Sequence, residues 1–429
     1  MVIIVIGGGF AGAAAACRLA GDGHPPILLE RAGRLGGRAG SFYLPRRDEE
    51  IDYGQHVTMR CCTVFQGFLQ RIGATSVLRF QRELSIPILH LGRISRLSSS
   101  LLPGPLHLAP SLLSYRPLPL RDRLAGLRAG LSLLLDRRRD EMTFADWLDD
   151  HGQEGLAVDR LWDPICIATL NARSSRVGLS AARTVLRVGL FRPGAADIGL
   201  FVRPFSQVFS AARRYIEKRG GTVRVSSPVR SVLIEGGRIS GIETADGEAI
   251  EADAVIAAVP PDELGRILPE GAIDLPAFSF SPIVDLHLWF DRPVMDEEFV
   301  IPVGSPVGPV FDLSKTRGDG PLTHIVVSQS AADDWIDRPV DEIAERLVSS
   351  LRDLLPAVRR AVLVDRLALK HREATFIPVP GIDWIRPSAK TPIAGLYLAG
   401  DWTATGWPAT IEGAVRSGIV AAARLEGEL

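Results

Sequence analysis

The apolar positions of this chain fall into two patterns. Val2–Ile6 is an unbroken β-branched run, and Ile27–Leu29, Ala254–Ala258 and Leu396–Ala399 are short apolar runs of the same kind. Continuous runs of strand length predict strands covered on both faces, as in a parallel sheet held between other layers. Ile283–Phe290 alternates instead: Val284, Leu286, Leu288 and Phe290 share one face, while Asp285, His287 and Trp289 share the other. That predicts a second sheet with one face on a core, and it gives His287 a structural rather than a catalytic place. The stretch GGTVRVSSPVRSVLIEGGRISGIETADGEAIEADAVIAAVPP reads as strands separated by Gly-Gly and Asp-Gly turns and closed by Pro260-Pro261.

Helical spacing marks Ala11–Ala20 and Asp341–Leu354, the latter ended by Pro356. Residues 81–200 are rich in Leu and Arg and carry mainly helical signals. Near residues 118–138, Leu124, Leu127, Leu131 and Leu134 fall on one helical face and Arg121, Arg123 and Arg128 lie off it. The pattern predicts a helix whose leucine face packs on a core; the alternative is a basic amphipathic helix resting on anionic lipid.

Composition narrows the class. With 429 residues and 46% hydrophobic content, the chain can build two or three cores. Lys+Arg 49 against Asp+Glu 50 leaves a net charge of -1, so nothing in the whole-chain electrostatics recommends nucleic acid as a partner. Cys17, Cys61, Cys62 and Cys166 match no zinc spacing, so no metal is expected; they predict reduced thiols in a cytoplasmic protein. Met1–Cys17 lacks a positive start and is interrupted by GGGFAG, which reads as a buried strand and turn rather than a signal sequence. No run of about eighteen uncharged apolar residues predicts a spanning helix.

The first chemistry-bearing motif follows the first strand. Gly7, Gly9 and Gly12 satisfy G-x-G-x-x-G between that strand and a helix. Such glycines permit the tight turn, the approach of backbone to a pyrophosphate, and close packing of helix on strand. The helix N-terminus, with Phe10 and Ala11, then faces the phosphate charge. Glu30 ends the Ile27–Leu29 strand about twenty residues on, where an acid binds an unphosphorylated ribose. These residues predict a bound dinucleotide. Arg31, Gly36, Gly37 and Arg38 form a second glycine-basic turn directly after the acid.

That second turn resembles the flavoprotein group containing amine oxidases, protoporphyrinogen oxidases and carotenoid desaturases. The resemblance implies FAD, with the chain returning at its C-terminus to complete the site. Gly400 and Asp401 would hold the ribityl-phosphate part, and Pro408, Ala409, Thr410 and Ile411 would lead a helix N-terminus to the flavin ring. There it would stabilise the negative charge of a reduced flavin. A backbone contact near Val229 is implied as well. The expected fold is α/β: a discontinuous Rossmann-like FAD-binding domain (residues 1–80, 201–275 and 385–429) plus an α+β substrate domain with a mixed sheet and helices (residues 81–200 and 276–384). A deep apolar pocket is expected at their junction.

Three stretches resemble the FAD-dependent hydroxysqualene dehydroxylases of bacterial hopanoid biosynthesis. They are DYGQHVTMR (Asp52–Arg60), LWDPICIATLNARSS (Leu161–Ser175) and REATFIPVPG with the LYLAGDWTATGWPATIEGAVRSG tail. Gly54 and Gln55 belong to the first, where Tyr53 replaces the family's Asn. Thr410 and Ile411 stand where an amine oxidase would place a flavin-facing aromatic residue. The resemblance implies reductive loss of an allylic hydroxyl from a long isoprenoid, with an unidentified electron donor to the flavin; the lipid-resting alternative for the helix near 118–138 would place the protein peripherally at the inner face of the membrane. His56, Asp163, Cys166 and Asn171 are the candidates for protonating or orienting the departing hydroxyl. Two other readings share the sequence: a carotenoid or squalene-type desaturase, and a prenyl-lipid carrier without catalysis.

Overall fold

A computed structural model describes residues 1–137, 141–318 and 320–428. The last position of the 118–138 segment lies outside the described residues. Five parallel strands form one sheet, in the order Thr222–Arg224, Ile27–Leu29, Ile3–Ile6, Ala254–Ala257, Leu396–Leu398. All four residues of Ile3–Ile6 are buried, and successive side chains serve opposite layers. Ile3 and Val5 join a core with the helices Phe10–Gly21, Phe205–Glu217 and Ile411–Glu426. Ile4 and Ile6 join a core with Val232, Ile239 and Ile242 of an antiparallel sheet, Val229–Glu235, Arg238–Thr244 and Ala249–Glu251. The unbroken apolar run is thus the signature of a middle layer.

The first and last helices pack directly on each other. A Cβ at Gly418 would stand 2.0 Å from the Ala11 carbonyl oxygen, so glycine sets this approach. Residues near the two ends of the chain therefore form one structure.

A second, seven-stranded sheet is mixed, in the order Leu363–Phe376, Phe280–Phe290, Thr323–Ser330, Val310–Asp312, Phe299–Pro302, Ser85–His90, Arg93–Ser98. Its pairings are antiparallel except Phe299–Pro302 with Ser85–His90. Val284, Leu286, Leu288 and Phe290 face the helix Val340–Leu354 through Ile343, Leu347 and Leu351, as the alternation predicts. The hairpin Ser85–His90/Arg93–Ser98 departs from the helical reading of residues 81–200. Its leucines and isoleucines pair as strands around a Leu91-Gly92 turn in which both residues have positive φ.

The rest of that region is helical. It includes Leu120–Leu135, Asp163–Leu170 and two π-helical stretches, Val158–Trp162 and Val185–Leu190. The helix Leu120–Leu135 turns Gly126, Ala129, Gly130 and Leu133 inward. Leu124 and Leu131 are exposed, which corrects the expectation that the leucine face would be the packed one. No helix among the described residues is long and apolar enough to cross a membrane.

Candidate active site

The glycine turn after the first strand is tight in the way a phosphate cradle requires. Gly7 has φ +103°, and a Cβ on Gly12 would lie 1.8 Å from the Gly7 carbonyl oxygen. Gly9 caps the helix Phe10–Gly21 with no side-chain acceptor and no acid in the first turn. The amide hydrogens of that turn are therefore left for an outside acceptor. A Cβ on Gly9 would meet only Gly37 Cα, at 3.8 Å, so the two glycine turns face each other. Gly36 N donates to Gly8 O (2.9 Å) and locks them together. Phe10 contributes backbone alone, since its ring is buried among Phe65, Phe205 and Phe209.

Glu30 is buried, with Gly8 N donating to Oε2 (2.6 Å) and Ala32 N to Oε1 (2.8 Å). Each carboxylate oxygen keeps a lone pair for a ribose hydroxyl. Ser226 N and Ser227 N donate to Ala32 O and Glu30 O, which brings the start of the Val229–Glu235 strand to the same end. Arg31 turns outward to Glu263 (2.8 Å) and is committed there.

Arg38 reaches across the chain: its Nη2 meets Asp401 Oδ1 at 2.5 Å, and Nη1 donates to Ala374 O. The N-terminal basic turn and the C-terminal Gly-Asp pair thus form one wall. Gly400 has φ +147°, and its amide donates to Ser417 Oγ (2.8 Å). Beyond Pro408 and the buried Ala409, Thr410 caps Ile411–Glu426 by accepting from Gly413 N. Arg386, absent from the sequence expectations, holds this loop. It donates to Asp401 O (2.8 Å), Trp407 O (2.9 Å) and Thr405 Oγ1 (3.0 Å). These residues suit a dinucleotide flavin: a free helix N-terminus, a buried acid with lone pairs to spare, and a second helix N-terminus on the same sheet.

The Asp52–Arg60 segment lies between this wall and the second sheet. Asp52 is buried against Arg317 and accepts from Ser41 Oγ and Phe205 N. Tyr53 O is bonded by His371 Nε2 (2.9 Å). Gly54 lies against Asp285, because a Cβ there would stand 2.7 Å from Oδ2. Gln55 backbone also hydrogen-bonds Asp285. His56 is half-buried, its Nδ1 bonded to Gly54 O (2.9 Å) and its ring edge-on to Phe205. With Nδ1–H donated to a carbonyl, neutral His56 presents Nε2 as an acceptor. Burial also lowers its pKa. In that neutral form His56 can accept a hydrogen bond at Nε2.

The structure does not bring the other three candidates to His56 through any contact it displays. Asp163 Oδ1 accepts from Ser174 N (2.8 Å) and Ser174 Oγ (2.7 Å), and Oδ2 faces Arg173. Cys166 is buried in the helical core, and burial pushes its thiol pKa up. Asn171, with φ +52°, donates through Nδ2 to Ser281 O and Thr375 Oγ1 and accepts at Oδ1 from Ala331 N. All its strong bonds tie a helix end to the second sheet, and no donor remains for a substrate hydroxyl.

Asp285 and His371 are the titratable groups that sequence reasoning passed over. On the strand Phe280–Phe290, Asp285 points away from the apolar core, and His371 stands diagonal to it on the neighbouring strand. The signal was present: a carboxylate on the non-core face of a strand buried on both sides. Asp285 Oδ1 is buried with no hydrogen-bond partner, and burial pushes the carboxyl up to about 6. His287, on the same face, bonds His324 (3.0 Å) and is held neutral by burial beside Arg317.

A raised folded pKa means the carboxyl binds its proton more tightly folded than unfolded. It favours the fold as pH falls through 6 and weighs against it above 6. Asp285→Asn should therefore gain stability relative to the parent as pH rises, by about 1.4 kcal/mol per unit between roughly pH 4 and 6 and level beyond. Melting curves of the holoprotein across that range check it. A mutant-to-parent difference that does not change with pH would show that Asp285 does not titrate there.

Residues 10–425 match the model of the family described as flavin containing amine oxidoreductase. A hydroxysqualene dehydroxylase of Sinorhizobium fredii is 29% identical, covering 96% of this chain and 95% of its own. A 15-cis-phytoene desaturase of Solanum lycopersicum is 27% identical, covering 97% of this chain and 76% of its own. An oxidoreductase from Methanosarcina mazei shares the fold, with TM-score 0.76 and 18% identity over 99% of this chain and 100% of that one. The cyclohexylamine oxidase of Brevibacterium oxydans does so at TM-score 0.69 and 20% identity, over 100% and 99%. The glycine turns, the buried Glu30 and the returning C-terminal helix accord with that match: the chain belongs to the flavin containing amine oxidoreductase family and is an FAD-dependent oxidoreductase.

Proposed function

We propose that this enzyme removes the allylic hydroxyl of hydroxysqualene to give squalene and water. The observation that carries the reading is the similarity to a hydroxysqualene dehydroxylase along nearly the whole of both chains. The similarity to 15-cis-phytoene desaturases supports the same substrate class, a long isoprenoid, with the flavin run in the opposite direction. Thr410 and Ile411 provide no aromatic ring beside the flavin, which favours an isoprenoid over an amine.

In this reading residues 1–80, 201–275 and 385–429 form the FAD-binding domain, and 81–200 with 276–384 the substrate domain. The first-turn amides after Gly9 hold the pyrophosphate, Glu30 the ribose, Gly400-Asp401 the ribityl phosphate, and the Thr410 helix end the ring. Reduced FAD, when bound, supplies the two electrons and two protons that convert C–OH to C–H and water. His56 Nε2 accepts the hydrogen bond of the substrate hydroxyl and orients it. The Asp285–His371 pair holds the Tyr53–Gln55 backbone that carries His56.

The test is anaerobic. Chemically reduced holoenzyme is mixed with hydroxysqualene, the flavin absorbance is followed, and extracted lipid is analysed by mass spectrometry. Reoxidation with one squalene formed per flavin is expected. Flavin that stays reduced while the lipid is bound would overturn the assignment, and reduction of oxidised holoenzyme by a saturated isoprenoid would replace it with a desaturase.

A further inference from the structure

The helix Leu120–Leu135 has two apolar faces, and only one is used. Gly126, Ala129, Gly130 and Leu133 pack inward. Leu120, Leu124, Leu131 and Leu135 fall within an arc of about 60° on the far side. They are 59%, 43%, 43% and 83% exposed. Apolar exposure continues beside the helix at Leu101 and Leu113. Gly104 and Gly130 both pack against Phe191, and Arg123 donates to Leu113 O (2.7 Å), so these segments adjoin. Exposed leucines gathered on one stripe of a helix mark an interaction site.

Charge selects the occupant. Arg121 and Arg128 flank the leucine stripe, with Arg116 exposed just before the helix. Among the described residues none of the three makes an ion pair. A second copy seated on this face by two-fold symmetry would set the same cations against each other. An anionic lipid surface supplies the missing negative charge and takes the leucines into its acyl boundary. We propose that Leu120–Leu135 is a membrane-docking helix that lies on an anionic bilayer without crossing it. This goes beyond the dehydroxylase reading and does not depend on it, because docking is measured without turnover.

The test is flotation of the holoprotein with vesicles of phosphatidylglycerol and phosphatidylcholine at low salt, beside vesicles of phosphatidylcholine alone. The parent should float with the anionic vesicles. The double variant Leu124→Gln/Leu131→Gln should need about tenfold more lipid for half-binding. The double variant Arg121→Gln/Arg128→Gln should lose about tenfold or more on anionic vesicles and nothing on neutral ones. An unchanged flavin spectrum in both certifies the fold, and each variant checks the other. Parent that stays at the bottom with anionic vesicles overturns the proposal, as does binding that survives both variants. A dimer that the leucine variant splits would likewise overturn it and assign the face to a second copy.

Discussion

Gly12→Ala is expected to give a protein that purifies without its yellow colour. The added Cβ would sit 1.8 Å from the Gly7 carbonyl oxygen, a backbone atom fixed in the turn after the central strand. No rotamer change relieves that overlap, so the helix Phe10–Gly21 must move off the sheet edge. Overpacking against backbone costs about 3 kcal/mol or more. If that cost falls on the cofactor site it is roughly a hundredfold in FAD affinity. Gly9→Ala separates cofactor from fold. Its Cβ meets only Gly37 Cα at 3.8 Å, and its φ of −76° suits alanine. The apoprotein should then melt as the parent does while FAD retention falls, because the methyl group occupies the space where a pyrophosphate approaches. The flavin-to-protein absorbance ratio and the melting curve of each variant decide the matter. A Gly12→Ala protein that retains full flavin would show that this turn does not hold the cofactor.

Much of the sheet that carries this turn was legible because its strands are unbroken apolar runs. Ile3–Ile6 serves cores on both faces, and no exposed strand face could afford such a run. The alternation at Ile283–Phe290 was readable for the same reason in reverse. What stayed hidden depends on direction or on distance along the chain. A helical pattern shows that leucines share a face, but not that the small residues Gly126, Ala129 and Gly130 bring the opposite face closer to the core. Leu91-Gly92 is an uncommon turn, so the hairpin it joins was taken as part of a helical region. Arg38 and Asp401 lie 363 residues apart, and no local spacing announces their ion pair. Asp163 and Asn171 sit in the segment that carries the family resemblance, yet their polar atoms are engaged by nearby structure. Sequence alone does not separate a side chain that holds a backbone from one that meets a substrate. Asp285 was visible as the carboxylate on a non-core face, and only the packing of Gly54 onto it gives that position meaning.

Arg386→Met is expected to destabilise the holoenzyme by about 3 kcal/mol and to release flavin with it. The guanidinium is almost wholly buried, at 2% side-chain exposure, and lies over the Phe376 ring. Its Nη2 donates to Asp401 O and Thr405 Oγ1, and its Nη1 to Trp407 O and Asp383 Oδ1. Methionine fills similar volume but leaves the buried carbonyl of Asp401 without a donor, which costs about 1–3 kcal/mol, and leaves Trp407 O only the Thr405 hydroxyl at 3.3 Å. Both carbonyls belong to the loop between the Gly400-Asp401 pair and the Thr410 cap, the two elements assigned to the flavin. Lysine would keep the charge but not the planar fork that serves four acceptors, so Arg386→Lys should fall between parent and Arg386→Met. Arg38→Met is the contrast: its guanidinium is 41% exposed, and solvent screens its ion pair with Asp401. That variant should lose flavin with little change in apoprotein melting, whereas Arg386→Met should lower both. Equal melting of Arg386→Met and parent, with flavin retained, would mean that the loop is held by its turns alone, and that Arg386 is only packing beneath it.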